Sequence, residues 1–326
     1  MSTITASTTT TTAYTVAADT TGALVFQTGA SSTVAMTIDG SQYTTLPALA
    51  DPTAPTAGNL KTYAKTIGGG YTAPAFLNAT NAAVQLQPAF ANKRIGTSTV
   101  AGSGSSSLTN IGMRVPNPNS GASGTFATTN MFTRVFRVVA SSTATAGTLG
   151  YFTTVVAEYT LGVPGTPNYA GFYLSTKFGI ADAVASPRTF VGMSSSTSTP
   201  TNVEPSTLTN SIGVGQGAAD TNLKIYYGGS AAQTPIDLGV NFPTNTNSVD
   251  WYELILYAPP SSNNTVYYQV TRLNTGNVAT GTLTGTAGTT LPSNTTALAY
   301  RAWRSNNATA SIVNIAQGNI YIETDY

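Results

Sequence analysis

The side chains able to do chemistry in this 326-residue chain are few, because it contains no Cys and no His. That removes the thiol nucleophile, the imidazole base and any disulfide, and it leaves a metal only oxygen ligands. Acid–base work falls to Glu158, Glu204, Glu253, Glu323 and eight Asp. Glycoside hydrolysis needs two carboxyl groups a few ångströms apart, one of them holding a proton. Glu158 and Glu253 fall mid-strand on outward faces and read as solvated charges, whereas Glu204 precedes Pro205 and reads as a turn cap or loop tether. A serine nucleophile would have only Lys as its base, and the five Lys stand in ordinary polar contexts. Asp220–Asn222 and the run 245–250 offer oxygens to calcium, but neither has the spacing of a ligand loop, so both read as turns. The expectation is a protein without enzymatic activity, metal or cofactor.

Sugar recognition asks for different residues: an aromatic face to lie against a pyranose, with Asn, Asp and backbone donors around it. Tyr226 and Tyr227 ahead of Gly228-Gly229, Tyr169 beside Asn168, and Trp303 ahead of Arg304-Ser305-Asn306-Asn307 have that content. Tyr169, Tyr226, Tyr227, Trp303 and Asn306 are therefore the candidate glycan contacts. The same aromatics beside turns can equally plug the end of a β-sandwich core.

Composition narrows the setting. Only 8% of residues are charged, against about 25% in an average soluble protein. A net charge of +1 with no basic cluster gives no footprint for nucleic acid. No stretch approaches the 18 apolar residues of a membrane span, and Met1–Ile4 shows neither the basic start nor the apolar run of a secretory signal. With 59 Thr and 17 Tyr, the chain suits β-structure.

Short apolar bursts at 13–17, 23–27, 33–38 and 42–46 alternate with turn-prone spacers, among them Asp39-Gly40. Residues 1–56 hold 13 large apolar side chains, too few for a self-sufficient domain. Residues 57–110, with linker-like 48–58 and 101–107 around Gly68-Gly69-Gly70, read as a linker or neck that includes a short helix over 82–94. From 111 to 326 the period-2 signal is strong. Strands are expected at 131–139, 151–161, 172–178, 188–193, 222–227, 251–257, 266–271, 278–283, 298–303 and 311–324. The fold class is all-β, a short N-terminal β-rich attachment region (1–56) followed by one antiparallel sandwich.

The ordered series TRVFRVVASSTATAG, RTFVGMSSSTSTPTNVEPSTLTNSIGVGQGAADTNLKIYY, WYELILYAPP, VYYQVTRLNTG and IYIETDY resembles the C-terminal receptor-binding sandwich of bacteriophage tail-fibre proteins. YTVAADTTGALVFQTGASSTVAMTIDGSQ resembles the short β-repeats near their start. The resemblance implies a jelly-roll, lectin-like sandwich and a homotrimer located on the virion. It also implies attachment to other virion proteins through the N-terminal region and recognition of host-surface carbohydrate. The larger attachment domain and long shaft of many tail fibres are not in this sequence, which leaves a head fibre or capsid decoration protein as the alternative and a carbohydrate depolymerase as the third reading. Low charge density further implies glycan binding that changes little between about 50 and 500 mM salt.

Residues 311–326 are too apolar for a free end, with Ile312, Ile315, Ile320 and Ile322, and Gly318 marks a slip in their alternation. They should form an inner strand. A chain lacking 311–326 is expected to lose the folded sandwich; soluble protein that still melts cooperatively would refute this.

Overall fold

A computed structural model describes residues 23–28, 33–49, 52–66, 72–78, 83–85, 94–114, 116–165, 170–244 and 246–325. The described residues divide into two compact units, one reaching to Gln85 and the other beginning at Arg94.

In the first unit β1 (Leu24–Thr28), β2 (Thr33–Ile38) and β3 (Thr44–Thr45) form an antiparallel sheet. The Asp39 carboxylate closes the β2–β3 turn by accepting from the amides of Ser41 and Tyr43, both at 2.9 Å. A second sheet holds β4 (Ala48–Leu49), β5 (Leu60–Thr66), β6 (Thr72–Asn78) and β7 (Ala83–Gln85), with Tyr63, Ala75 and Leu77 buried together. The stretch expected to be a neck therefore carries strands, and Ala83–Gln85 is extended where a helix was expected. Part of the buried face there is Ala73 and Ala75, which a search for large apolar residues passes over.

The second unit is an antiparallel β-sandwich of jelly-roll, lectin-like type. Its seven-stranded sheet runs β10 (Asn117–Pro118), β13 (Leu149–Thr153), β22 (Ala299–Ser305), β15 (Arg188–Ser194), β16 (Ser211–Gln216), β17 (Lys224–Gly228) and β18 (Ile236–Asp237). Its nine-stranded sheet is built on β11 (Gly121–Ser123), β12 (Val138–Ser141), β23 (Asn314–Thr324), β14 (Phe172–Ile180), β19 (Trp251–Ala258), β20 (Thr265–Arg272) and β21 (Asn277–Thr284). To these β8 (Arg94–Val100) adds itself beside the C-terminal half of β23 and carries β9 (Leu108–Ile111). Period-2 alternation fills the space between the sheets. Val191, Met193, Ile212, Val214 and Tyr300 meet Phe172, Leu174, Phe178, Leu254, Ile320 and Ile322 in one buried cluster.

Strand β23 lies inside its sheet, between β14 on one side and β12 and β8 on the other, as its composition required. Its pairing with β14 slips between Thr176 and Phe178, opposite Gly318. Ile312 precedes the strand and is exposed. Two expected strands are cut short. The one at 151–161 ends at Thr153, after which Val155 is exposed and the Glu158 and Tyr159 amides bond the Leu298 carbonyl. The one at 131–139 gives way to a one-turn helix, α1 (Met131–Arg134), because Asn130 and Thr133 form a reciprocal cap over its first turn.

One ion pair joins the two sheets. Arg304 of β22 is fully buried and donates from Nε and Nη2 to the two oxygens of Asp182, each at 2.8 Å. Asp182 lies just beyond β14 and also accepts from the amide of Asn314 at the head of β23 (2.7 Å). Losing one partner strands a buried charge, so Asp182→Ala is expected to cost about 3–5 kcal/mol by denaturant unfolding. The double change Asp182→Leu with Arg304→Met should cost far less. A single variant within about 1 kcal/mol of the parent would show that the pair does not hold the sheets together.

Candidate functional site

The alternation of β22 that turns Tyr300, Ala302 and Arg304 inward turns Arg301, Trp303 and Ser305 onto the outer face of the seven-stranded sheet. There Trp303 faces Phe190 on β15, and Arg301 lies on the next rung, which runs through Gly192 and Gly213 to Tyr226. The Phe190 ring spreads across Gly213, where a Cβ would stand 2.8 Å from it, and lies beside Trp303 with centroids 6.5 Å apart and planes at 29°. Phe190 and Trp303 make an apolar floor, with Tyr226 packed in the same buried cluster.

The β15–β16 connection, 195–210, arches over this floor. It is closed at its base by the Ser195 amide on the Asn210 carbonyl (2.9 Å). Glu204 tethers it, accepting from Arg188 Nε at 2.7 Å and from the Ala218 amide at 3.2 Å. Asn202 adds a second tether, its Oδ1 accepting from Arg188 Nη1 (2.8 Å) and Ser305 Oγ (2.7 Å). Glu204 is therefore a loop-holding residue, one of the two readings its place before Pro205 allowed.

Between loop and floor lies a cavity of about 320 Å³. Its walls carry hydroxyls, among them those of Ser194, Ser196, Thr201, Thr209 and Ser211. Arg301 lines it and is only 7% exposed. Among the described residues its one hydrogen bond runs from Nη1 to the Ser196 carbonyl (3.1 Å), while Nε is buried without an acceptor. Burial without a carboxylate pushes its pKa down to about 10.

Beside the cavity, two carboxylates converge on Gly217, where a Cβ would lie 2.8 Å from Glu204 Oε2 and 3.0 Å from Asp220 Oδ2. Both groups are occupied by donors. Asp220 takes Lys224 Nζ (2.5 Å), the Gly217 amide (2.7 Å) and the Tyr226 hydroxyl. Burial raises its pKa, but hydrogen bonds from Lys224, Tyr226 and Gly217 outweigh that and hold it below the usual carboxylate range. Asp220 has no proton to donate near neutral pH. In the run 246–250, Asp250 is paired with Arg272 at 2.9 Å. Among the described residues no three Asp or Glu gather as a metal would need, and no helix is long and apolar enough to cross a membrane.

Of the residues singled out for glycan contact, Trp303 and Tyr226 come together on this outer face, both nearly fully buried. Tyr227 turns the other way, against the core between the sheets. Asn306 is fully buried and organises loops, donating to the carbonyls of Thr145 (2.8 Å) and Ser311 (2.9 Å) and accepting from the Thr148 amide (3.1 Å). Tyr169 lies outside the described residues. Arg301 was not singled out. The alternation of AYRAWRS, which sends Arg301 and Arg304 to opposite faces, was the signal that could have found it.

No protein-family model matches the chain, and no curated protein matches it. Among solved structures it is similar to a protein of unknown function from Shewanella oneidensis MR-1 (14% identity over 73% of this chain and 90% of that one, TM-score 0.44). It is also similar to peanut lectin with a nine-residue peptide (12%, 72% and 98%, TM-score 0.45). A third is the CBM2 module of an evolved Dit protein from Lactobacillus casei BL23 phage J-1 (14%, 58% and 77%, TM-score 0.37). Likeness of this degree assigns neither a ligand nor residue roles.

The titrating groups set a pH profile. Burial raises the pKa of Tyr173, Tyr226, Tyr252, Tyr300 and Tyr321, so above about pH 10 the unfolded chain loses protons that the folded chain keeps, and stability falls as pH rises. Arg301 and Arg137, both lowered by burial, act in the opposite sense there, since their penalty on the folded state is relieved as pH rises, but they are two groups against six, burial raising Tyr268 as well. At the acid end the contribution of Asp220 is complete above about pH 4 and is lost as pH falls through its lowered folded value. With no His between, thermal midpoints at pH 6 and pH 8 should agree within about 5 °C and drop by pH 11. A larger difference between pH 6 and 8, or none by pH 11, would refute this profile.

Proposed function

We propose that this protein is a bacteriophage receptor-binding protein, a short tail fibre whose sandwich binds host-surface glycan without cleaving it. The observation that carries the binding role is the hydroxyl-walled cavity on the outer face of the seven-stranded sheet, with its aromatic floor and its buried guanidinium. Such a site can hold a polar, hydroxyl-rich ligand by neutral hydrogen bonds from Ser and Thr. The placement on a phage rests on the sequence resemblance of the segments from 131 onward. Assembly as a homotrimer and attachment to other virion proteins through the N-terminal region belong to the same reading. The β1–β3 sheet supports association, since Val25 and Phe26, on its opposite faces, and Tyr43 all remain exposed.

Labelled protein should bind host cells and be competed off by the purified surface polysaccharide, whose chain length stays constant during incubation. Thr201→Trp, which fills the cavity from an exposed loop position, is expected to abolish that binding while leaving the melting temperature unchanged. Sedimentation should give three times the 33.4 kDa chain mass. Binding that survives Thr201→Trp would move the site elsewhere. Shortening of the polysaccharide would make the protein a depolymerase, and density for the chain at capsid symmetry points instead of the tail would make it a head fibre.

A further inference from the structure

A buried guanidinium is ordinarily matched by a carboxylate, because an unpaired charge removed from water is costly. Four arginines of the second unit, the partly exposed Arg94 among them, have such a partner. Arg304 meets Asp182, Arg188 meets Glu204, Arg272 meets Asp250 and Arg94 meets Glu158. Two buried arginines depart from the rule: Arg137, whose Nη1 and Nη2 reach the backbone carbonyls of Phe132, Thr133, Val135 and Thr125, and Arg301. Arg301 is more deeply buried than any of the four paired arginines except Arg304, and among the described residues a single backbone carbonyl is its partner. The contrast with Arg304 is instructive, since the two occupy opposite faces of one strand. Arg304 presents its Nε/Nη2 edge to both oxygens of a carboxylate. In Arg301, the Nε of that same edge is buried and has no acceptor. Among the described residues lining the cavity Arg301 is the one charged group, so the hollow is electropositive with nothing of the protein's own to neutralise it.

We propose that this cavity is the subsite for an acidic saccharide unit, and that Arg301 binds its oxyanion substituent through the Nε edge while the Ser and Thr hydroxyls hold the ring. A carboxylate fits best, because its two oxygens match the planar fork of a guanidinium; a sulfate or phosphate ester offers the same kind of acceptor. The volume stands at the lower end of the roughly 300–1,000 Å³ of small-molecule sites, which favours one sugar unit over a long stretch of chain. The inference rests on the glycan-binding reading and adds the charge of the sugar.

The test uses the full chain and four probes: oligogalacturonate, its neutral methyl ester, and glucose 6-sulfate and 6-phosphate. The acid form should bind at least about tenfold tighter than the ester, and Arg301→Gln should remove that preference while leaving the melting temperature close to the parent value. Arg301→Lys, which keeps the charge and loses the fork, should retain only part of it. In the parent protein the Arg301 Nε–H resonance, assigned by its absence from Arg301→Lys, should shift on adding oligogalacturonate and stay fixed with the ester; this readout stands even if Arg301→Gln fails to fold. A response to the sulfate or phosphate ester and not to the uronate would identify the other source of the oxyanion. Equal binding of acid and ester, in parent and variant alike, overturns the inference and leaves glycan binding intact. No binding of any saccharide, host polysaccharide included, overturns both.

Discussion

The sandwich depends on a buried ion pair at one end of its core. Arg304 comes from the seven-stranded sheet, Asp182 from the segment leaving β14, and the Asn314 amide from the start of β23, so three distant parts of the chain converge on one carboxylate. A buried charge tolerates little displacement, because its desolvation is offset only while the partner's geometry is kept. Further into the core, Tyr300 of β22 donates to Gln317 of β23 at 2.5 Å, and Gln317 donates to Thr176 of β14 at 3.0 Å. Side-chain direction in a strand has a period of two, so these inward anchors leave β22 no freedom of register. With Tyr300 and Arg304 inward, Arg301 and Trp303 must face out. The outer-face cavity is in this sense a consequence of how the core is tied.

Much of this architecture was legible in the sequence. In β14, β19 and β20 large apolar residues alternate with polar or tyrosine partners, and one alternating set, such as Phe172 and Leu174 or Leu254 and Leu256, lies in the core. Where the reading failed, size or capping explains it. Strand β16, Ser211–Gln216, carries glycine at 213 and 215 on its outer face and so shows only half a pattern; at 213 the glycine is needed because the Phe190 ring occupies the space of a side chain. The strands of 60–85 bury Ala73 and Ala75, too small to register as core. At 131–134 the apolar residues suited a strand, but local hydrogen bonds at Asn130 and Thr133 favoured a helical turn.

The site was legible in its aromatic part and hidden in its charged part. Trp303 and Tyr226 stand next to turn residues, which is enough to mark them, and Glu204 before Pro205 marks its loop. Asn306 has the polar content of a ligand contact, yet its amide is spent on four protein acceptors. Arg301 escaped notice because charge was weighed over the whole chain, where thirteen cations nearly balance twelve anions. Balance in sum says nothing about pairing position by position. That becomes visible only when each buried cation is set beside its acceptor.

The same distinction bears on how a weakly charged protein could select an acidic ligand. A net charge of +1 produces no far field to draw an anion in, and at physiological salt screening confines surface charges to a range of about 8 Å. The selectivity available here is of short range, from one desolvated guanidinium met only after the ligand has entered the cavity. Exposed ion pairs weaken as salt is added, whereas buried ones are screened far less. Low charge density and recognition of an anion are therefore compatible. In the proposed complex the scarcity of surface charge would limit the encounter rate, and the burial of Arg301 would decide which sugar stays.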